Sequence, residues 1–306
     1  MTDTESAKEY EYKLEDKKLI EIYESDTISI YENDLKYKKH KNIDFKRVYT
    51  KNKIDKDTLE YRFKECVDGG CLTLDLSHLE LLDFPFFEYS EKIQCLFAAE
   101  NKIQIIKDLS KFKNLIVLDL SNNNLSSMPI LPEKIEELTI RHNNISNIDS
   151  LANYDYLQRL DCAYNNIKTI PIIDSLTILI CEYNKVYKIP KLKNLVKLFC
   201  SHNAISKLYS SSNLEILDCN SNNLIEIDGF KNLAELYCSK NDITHIKDCH
   251  NLEVFHCYKT NITLMPYIDT LKELLCDQRD DFLLSRNYIL INSEIYKEKM
   301  NIMHFK

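Results

Sequence analysis

Tryptophan is absent from the 306 residues, glycine occurs three times and proline six times. So little glycine leaves no P-loop, no dinucleotide-binding GxGxxG and no GxSxG nucleophile elbow, and no HExxH zinc motif occurs either. These absences speak against an enzyme and against a cofactor. Long apolar runs are missing as well. No stretch approaches the roughly 20 uninterrupted apolar residues of a membrane helix, and the opening MTDTESAKEYEYKLED is too acidic and polar for an export signal. A cytoplasmic protein without membrane association is expected. The formal charge of −8 gives no reason to expect nucleic acid as a partner.

What is present is a period. LIVLDLSNNNL, LQRLDCAYNNI, LVKLFCSHNAI, LEILDCNSNNL and LAELYCSKNDI all fit L-x-x-L-x-(L/C)-x-x-N-x-(L/I). The Asn of this pattern falls at Asn101, Asn123, Asn143, Asn165, Asn184, Asn203, Asn222 and Asn241, with Leu79 in the same register before them and Thr260 and Arg279 after. The intervals are 22, 22, 20 and 22 residues, then 19 six times. Six equal intervals are a repeat. In each unit L-x-L places alternate residues in and out of a core, so the units stack as short parallel strands. A second apolar pair after the Asn, such as Ile167/Ile170 or Leu224/Ile227, lines the far side. Proline follows that pair at positions 85, 129, 171, 190 and 266, which predicts extended rather than helical backbone there. A buried Asn at a fixed bend both donates to and accepts from backbone groups, so this column reads as structural. Its loss at Thr260 and Arg279 suggests that the solenoid is ending.

Eleven cysteines is an odd count. Seven of them, Cys162, Cys181, Cys200, Cys219, Cys238, Cys257 and Cys276, recur every 19 residues in the inward position that Leu120 and Ile140 occupy earlier. They read as small hydrophobes suited to a thin core. Sulfurs in line do not converge on a tetrahedral metal, and parallel Cβ vectors do not suit a disulfide. Cys95, read as outward-facing, is expected to be the first thiol to react.

The repeat resembles the leucine-rich-repeat family in its short-repeat form. The resemblance implies an α/β repeat solenoid, a curved horseshoe with a parallel sheet on its concave face and a mostly extended or 3-10 convex side. The Asn-, Ile-, Lys- and Tyr-rich composition resembles that of leucine-rich-repeat proteins of AT-rich genomes, giant viruses of amoebae among them, which would imply a host cytoplasm. Four parts are expected: a charged, partly ordered segment over 1–56, a capping helix over 57–70, eleven repeats over 71–281 and a C-terminal cap over 282–306. Residues 1–34 carry 4 basic and 11 acidic side chains and residues 35–53 carry 8 and 1.

Function in such a fold is expected on the outward strand positions, since the rest of each repeat is committed to the core. Their central column is acidic in its first half, with Asp75, Asp119 and Asp161, and apolar or aromatic in its second. Large apolar side chains facing solvent mark interaction sites. The expected partner surface is Ile178, Ile180, Tyr183, Phe199, His202, Ile216, Asp218, Tyr237, His256 and Tyr258, binding an unidentified protein, with the chain itself a monomer. Self-assembly through the same patch is the alternative. Ser201, His202 and Asp218 can be drawn as a triad, but no oxyanion-hole loop accompanies them.

Overall fold

The computed structural model describes residues 59, 66, 68, 70, 72–85, 90–265, 268–276 and 283–284. Residues 1–56, most of the expected caps at 57–70 and 282–306, Pro266 and Arg279 lie outside them. Leu59, Cys66 and Asp68 are helical, and Leu59 is buried in the core.

The strands follow one another in chain order: β1 (Thr73–Asp75), β2 (Cys95–Phe97), β3 (Val117–Asp119), β4 (Glu137–Thr139), β5 (Arg159–Asp161), β6 (Ile178–Ile180), β7 (Lys197–Phe199), β8 (Ile216–Asp218), β9 (Glu226–Asp228), β10 (Glu235–Tyr237), β11 (His245–Lys247), β12 (Val254–His256), β13 (Leu264–Met265), β14 (Glu273–Leu275) and β15 (Leu283–Leu284). Eleven of them form one sheet in the order β1-β2-β3-β4-β5-β6-β7-β8-β10-β12-β14. Every pairing is parallel and in register, so one central Leu or Phe per strand stacks on the next: Leu74 on Leu96, Leu160 on Leu179, Phe255 on Leu274. These central residues point inward and are buried. The Thr260 repeat does not end the sheet, since β14 follows it; the Thr260 hydroxyl is buried and donates to the Cys257 carbonyl.

The back of the coils is 3-10 in places and extended in others, the extended form reaching the longer coils too in the bridge Asp108 to Ile130. Both 3-10 helices among the described residues, Ser90–Lys92 and Asp149–Asn153, fall in 22-residue intervals. The 19-residue units lack those three residues and run extended, pairing as β9 with β11, as β13 with β15 and as the bridge Thr169 to Lys188. Ile167, Ile170, Val186, Ile189, Leu224, Ile227, Ile243 and Ile246 close the core from that side. One repeat breaks the pattern. Ser211 stands where Leu192, Phe230 and Cys249 fill the equivalent position, leaving a small hollow between Leu192, Leu208 and Phe230.

The asparagines tie coil to coil. The Asn165 amide donates to the carbonyls of Cys162 and Ala163 in its own bend and of Ile140 in the preceding coil, at 2.9–3.1 Å, while its oxygen accepts the Ile145 N–H at 2.9 Å. The same four-way pattern recurs at each of the eight, shown for Asn123, Asn143 and Asn241 among others. A second ladder was missed in the sequence. Asn114, Asn194, Asn213, Asn232 and Asn251, each just before an inward Leu, donate to a carbonyl of the preceding coil at 2.7–2.9 Å. Ser175 and Thr270 do the same with a hydroxyl. The signal was there, as the recurring N-L pairs of KNL, SNL and HNL.

The cysteines from Cys162 to Cys257 form no disulfides and are buried, and Cys276 is half-buried. Burial pushes the thiols of Cys162, Cys181, Cys200, Cys219 and Cys238 well above the usual range, with the neighbouring thiol adding to it. The expectation for Cys95 is corrected. It starts β2 between Thr73 and Val117 and is 1% exposed, because the flank it occupies is closed rather than open to solvent. Only the thiolate reacts readily. Among the described cysteines, a brief alkylation of the native protein is therefore expected to label the half-buried Cys66 and Cys276 first, and Cys95 and the ladder only after unfolding. Early label at Cys200, read by peptide mass spectrometry, would contradict a sealed core.

Candidate functional site

The outward face of the main sheet is built by the first and third residues of each strand and by the bend that follows. Those bends share one unusual conformation. The residue before each ladder Asn has left-handed backbone: φ is 52° at His142, 53° at Tyr164, 50° at Tyr183, 54° at His202 and 57° at Lys240. That region costs an L-residue about 1–2 kcal/mol. The cost is offset by hydrogen bonds between coils, in which the N–H of His142, Tyr164, Tyr183 and His202 donates to the next coil at 2.9–3.0 Å. Uniform geometry aligns the side chains. His142, Tyr164, Tyr183 and His202 stack in one column, with ring centroids 4.1, 4.3 and 4.2 Å apart and planes within 18° of parallel. Arg141 lies over the Tyr164 ring, 4.9 Å from its centroid.

The expected partner residues divide by depth. Ile180 and Asp218 are only 7% and 4% exposed and form the floor. The Asp218 carboxylate accepts the Asn220 N–H, and Asp75, Asp119 and Asp161 make the same turn with the N–H two residues on. The acidic column is thus partly a set of strand-ending turns. Ile178, Phe199, Ile216, Tyr237, His256 and Tyr258 are half-buried, whereas Tyr183 is 37% exposed and stands with His202 in the ring column at the rim. The structure joins Tyr237 and His256 edge to face at 4.9 Å. The Tyr237 hydroxyl donates to Glu235 at 3.0 Å, and His256 Nε2 lies 2.8 Å from Glu273. Burial first, then the Glu235 carboxylate, push the Tyr237 hydroxyl far above its usual range, so it stays a neutral donor.

The triad drawn from sequence does not assemble. The Ser201 hydroxyl donates to Glu182 at 2.6 Å, His202 stacks on Tyr183 and Asp218 closes its own turn. Among the described residues no cluster of His, Cys, Asp and Glu converges as a metal site, and no helix is long and apolar enough to cross a membrane.

Three carboxyls on this face are strained electrostatically. Burial raises Asp119, Asp161 and Glu182 above the ordinary range, against the opposing pull of Ser121, Arg141 and Ser201 respectively. Arg141 sits 3.9 Å from Asp161. A carboxyl with a raised folded pKa holds its proton longer in the fold than in the unfolded chain. Its charge therefore costs stability, progressively, as pH rises from the unfolded value of 3.8 through the folded one. Asp161→Asn keeps an oxygen for the Ala163 N–H and removes the charge. The variant is expected to melt higher than wild type at neutral pH and to lose part of the fall in Tm between mildly acid and neutral pH. A lower Tm at neutral pH would mean that the Arg141 pair outweighs the burial.

Comparison with known proteins agrees with this geometry. A family model described as "Leucine Rich Repeat" matches residues 114–133. No curated protein sequence matches. Among solved structures, the functional domain of InlJ from Listeria monocytogenes, described as including a cysteine ladder, is 25% identical with a TM-score of 0.54, over 68% of this chain and 54% of that one. The chain thus spans just over half of that relative. The leucine-rich-repeat domain of APL1B is 22% identical with a TM-score of 0.60, over 74% of each chain. YopM from Yersinia enterocolitica is 20% identical with a TM-score of 0.56, over 79% of this chain and 62% of that one. With its own 19- to 22-residue period, its asparagine and cysteine ladders and this shared parallel-sheet solenoid, the chain is a leucine-rich-repeat protein.

Proposed function

We propose that the chain is a non-catalytic binding module that holds a protein partner on the C-terminal half of its outward sheet face. One observation carries the reading. Phe199, Ile216, Tyr237, Val254 and His256 sit on the adjacent strands β7, β8, β10 and β12, part-exposed, on a face whose floor is sealed by Ile180 and Asp218. Part-buried aromatics in a polar surround are the residues that dominate binding energy between proteins. The leucine-rich-repeat fold commonly serves this role. Its buried thiols, which form no disulfides, suit a reducing compartment such as the cytoplasm.

Phe199→Lys/Tyr237→Lys tests the reading. Each change removes an aromatic anchor and adds a charge, while the inward Leu198 and Leu236 beside them are untouched. Affinity capture is expected to recover a partner with wild type and to lose it with the double variant, whose Kd rises by about 30-fold or more per anchor. Equal recovery by a folded double variant would remove this face as the site. A second reading, self-association, is favoured by a different feature, the symmetry of the ring column at the rim.

A further inference from the structure

The bend residues are matched about the gap between Tyr164 and Tyr183, identical in the first two pairs and complementary in the next two. The two tyrosines are the inner members of the ring stack, and His142 and His202 are the outer ones. The symmetry continues beyond the rings. Asn122 and Ser221 come next, both small and polar, and then Glu100 and Lys240, of opposite charge. All of these residues share left-handed backbone with φ between 50° and 57°, so they occupy the same place in successive coils and form one rail.

We propose that this rim is a homodimer interface, in which a second copy lays its rail antiparallel on the first about a two-fold axis through the Tyr164–Tyr183 gap. Most soluble oligomers are closed by such an axis, which brings a surface against itself in reverse order. A rail whose rungs are complementary about its midpoint fits this operation. Tyr164 meets Tyr183 of the other copy, His142 meets His202, Asn122 meets Ser221, and Glu100 meets Lys240 twice per dimer. The chemistry is self-complementary, since a tyrosine hydroxyl and a neutral imidazole each both donate and accept.

The rail extends one rung further at each end, to His78 and Lys259, which have φ of 60° and 53° and meet without opposite charge, so they add length but no attraction. Ten rungs at about 4.8 Å span about 43 Å. The ~800 Å² per partner of a standard interface is then a strip about 19 Å wide, taking in the rail and the side chains directly beside it, Arg141 among them. Glu100 already approaches His78 Nδ1 at 2.8 Å, but both side chains are more than half exposed, so that contact holds Glu100 only weakly. The proposal replaces the monomer expected from sequence.

Sedimentation equilibrium of the full chain over a concentration series tests it. Wild type is expected to dimerise. Lys240→Glu and Glu100→Lys each place like charges together twice, and each is expected to raise the dimer Kd about tenfold or more. Glu100→Lys/Lys240→Glu exchanges the charges and is expected to return the Kd close to wild type, which a merely structural role for either residue would not produce. Phe199→Lys, on a strand of the sheet face rather than on the rail, is expected to leave the dimer intact, so loss of the hetero-partner and loss of the dimer are separable. The proposal is overturned by a wild type that stays monomeric, by single reversals that leave the Kd unchanged, by a double reversal no better than the singles, or by a dimer abolished by Phe199→Lys.

Discussion

Asn165→Ala is expected to destabilise the solenoid by about 2–4 kcal/mol, on an estimate of about 1–3 kcal/mol for the one buried N–H left without a partner and about 1 kcal/mol for the hydrogen bonds its amide no longer shares. The Ile145 N–H loses its acceptor, and the carbonyls of Ile140, Cys162 and Ala163 each lose one of two donors, keeping the Asn143 amide, the Asn184 amide and the His142 N–H respectively. Asn165 is buried, and alanine brings neither a donor nor the volume to admit ordered water easily. Since a domain is stable by only about 5–15 kcal/mol in total, one substitution removes a large share. Its position matters too. Repeats are held by their neighbours, and Asn165 joins the coils of β4 and β5 in the middle of the sheet. The adjacent Asn166 is the control. Its side chain accepts only from the Lys185 ammonium at the surface, and Asn166→Ala is expected to stay within about 0.5 kcal/mol of wild type. Urea unfolding followed by far-ultraviolet circular dichroism compares the two. If Asn165→Ala costs no more than Asn166→Ala, the amide ladder does not hold the coils together.

The period made the sheet legible before any coordinates, because a residue that stacks every 19 or 22 positions has only a parallel ladder in which to stack. The convex backbone followed from proline and from the shortness of the repeat. Depth on the outward face was less legible. Alternation says that Ile180 and Asp218 point away from the core, but not that Phe199 and Tyr237 stand beside them and leave little of either exposed. Aspartates ending strands looked like surface charge, and their turns to the N–H two residues on became visible only as hydrogen bonds. The left-handed rail was hidden for a chemical reason. Glycine or asparagine usually announces that conformation, whereas here Tyr, His and Lys adopt it, held by the hydrogen bonds between coils.

Replacing Cys181, Cys200 and Cys219 together by leucine is expected to cost about 3–9 kcal/mol, at about 1–3 kcal/mol for each overpacked site. All three side chains are wholly enclosed, and successive strands bring them rung upon rung. A leucine brings a branched carbon chain where one sulfur sits, and no solvent-facing side exists for it to turn to. The same inward position is filled by Leu120 and Ile140, equally buried, in coils of 20 and 22 residues. The switch to an unbroken run of cysteine at Cys162 coincides with the switch to 19 residues, whereas the longer coils carry Leu76, Leu120 and Ile140 there and one small residue, Ala98. Three residues fewer per turn close the coil around a thinner core, and cysteine, a small hydrophobe, fits it. The reciprocal change is therefore unfavourable for the opposite reason: Leu120→Cys leaves a cavity in a wide coil. Alanine in place of the three cysteines removes one heavy atom each and is expected to cost only about 1 kcal/mol per site. Because the sites touch, the sums are not strictly additive, but the order is firm: leucine worse than alanine in the short coils. Denaturant midpoints measured for the two triple variants decide it, and a leucine variant as stable as wild type would break the link between the 19-residue period and the sulfur column.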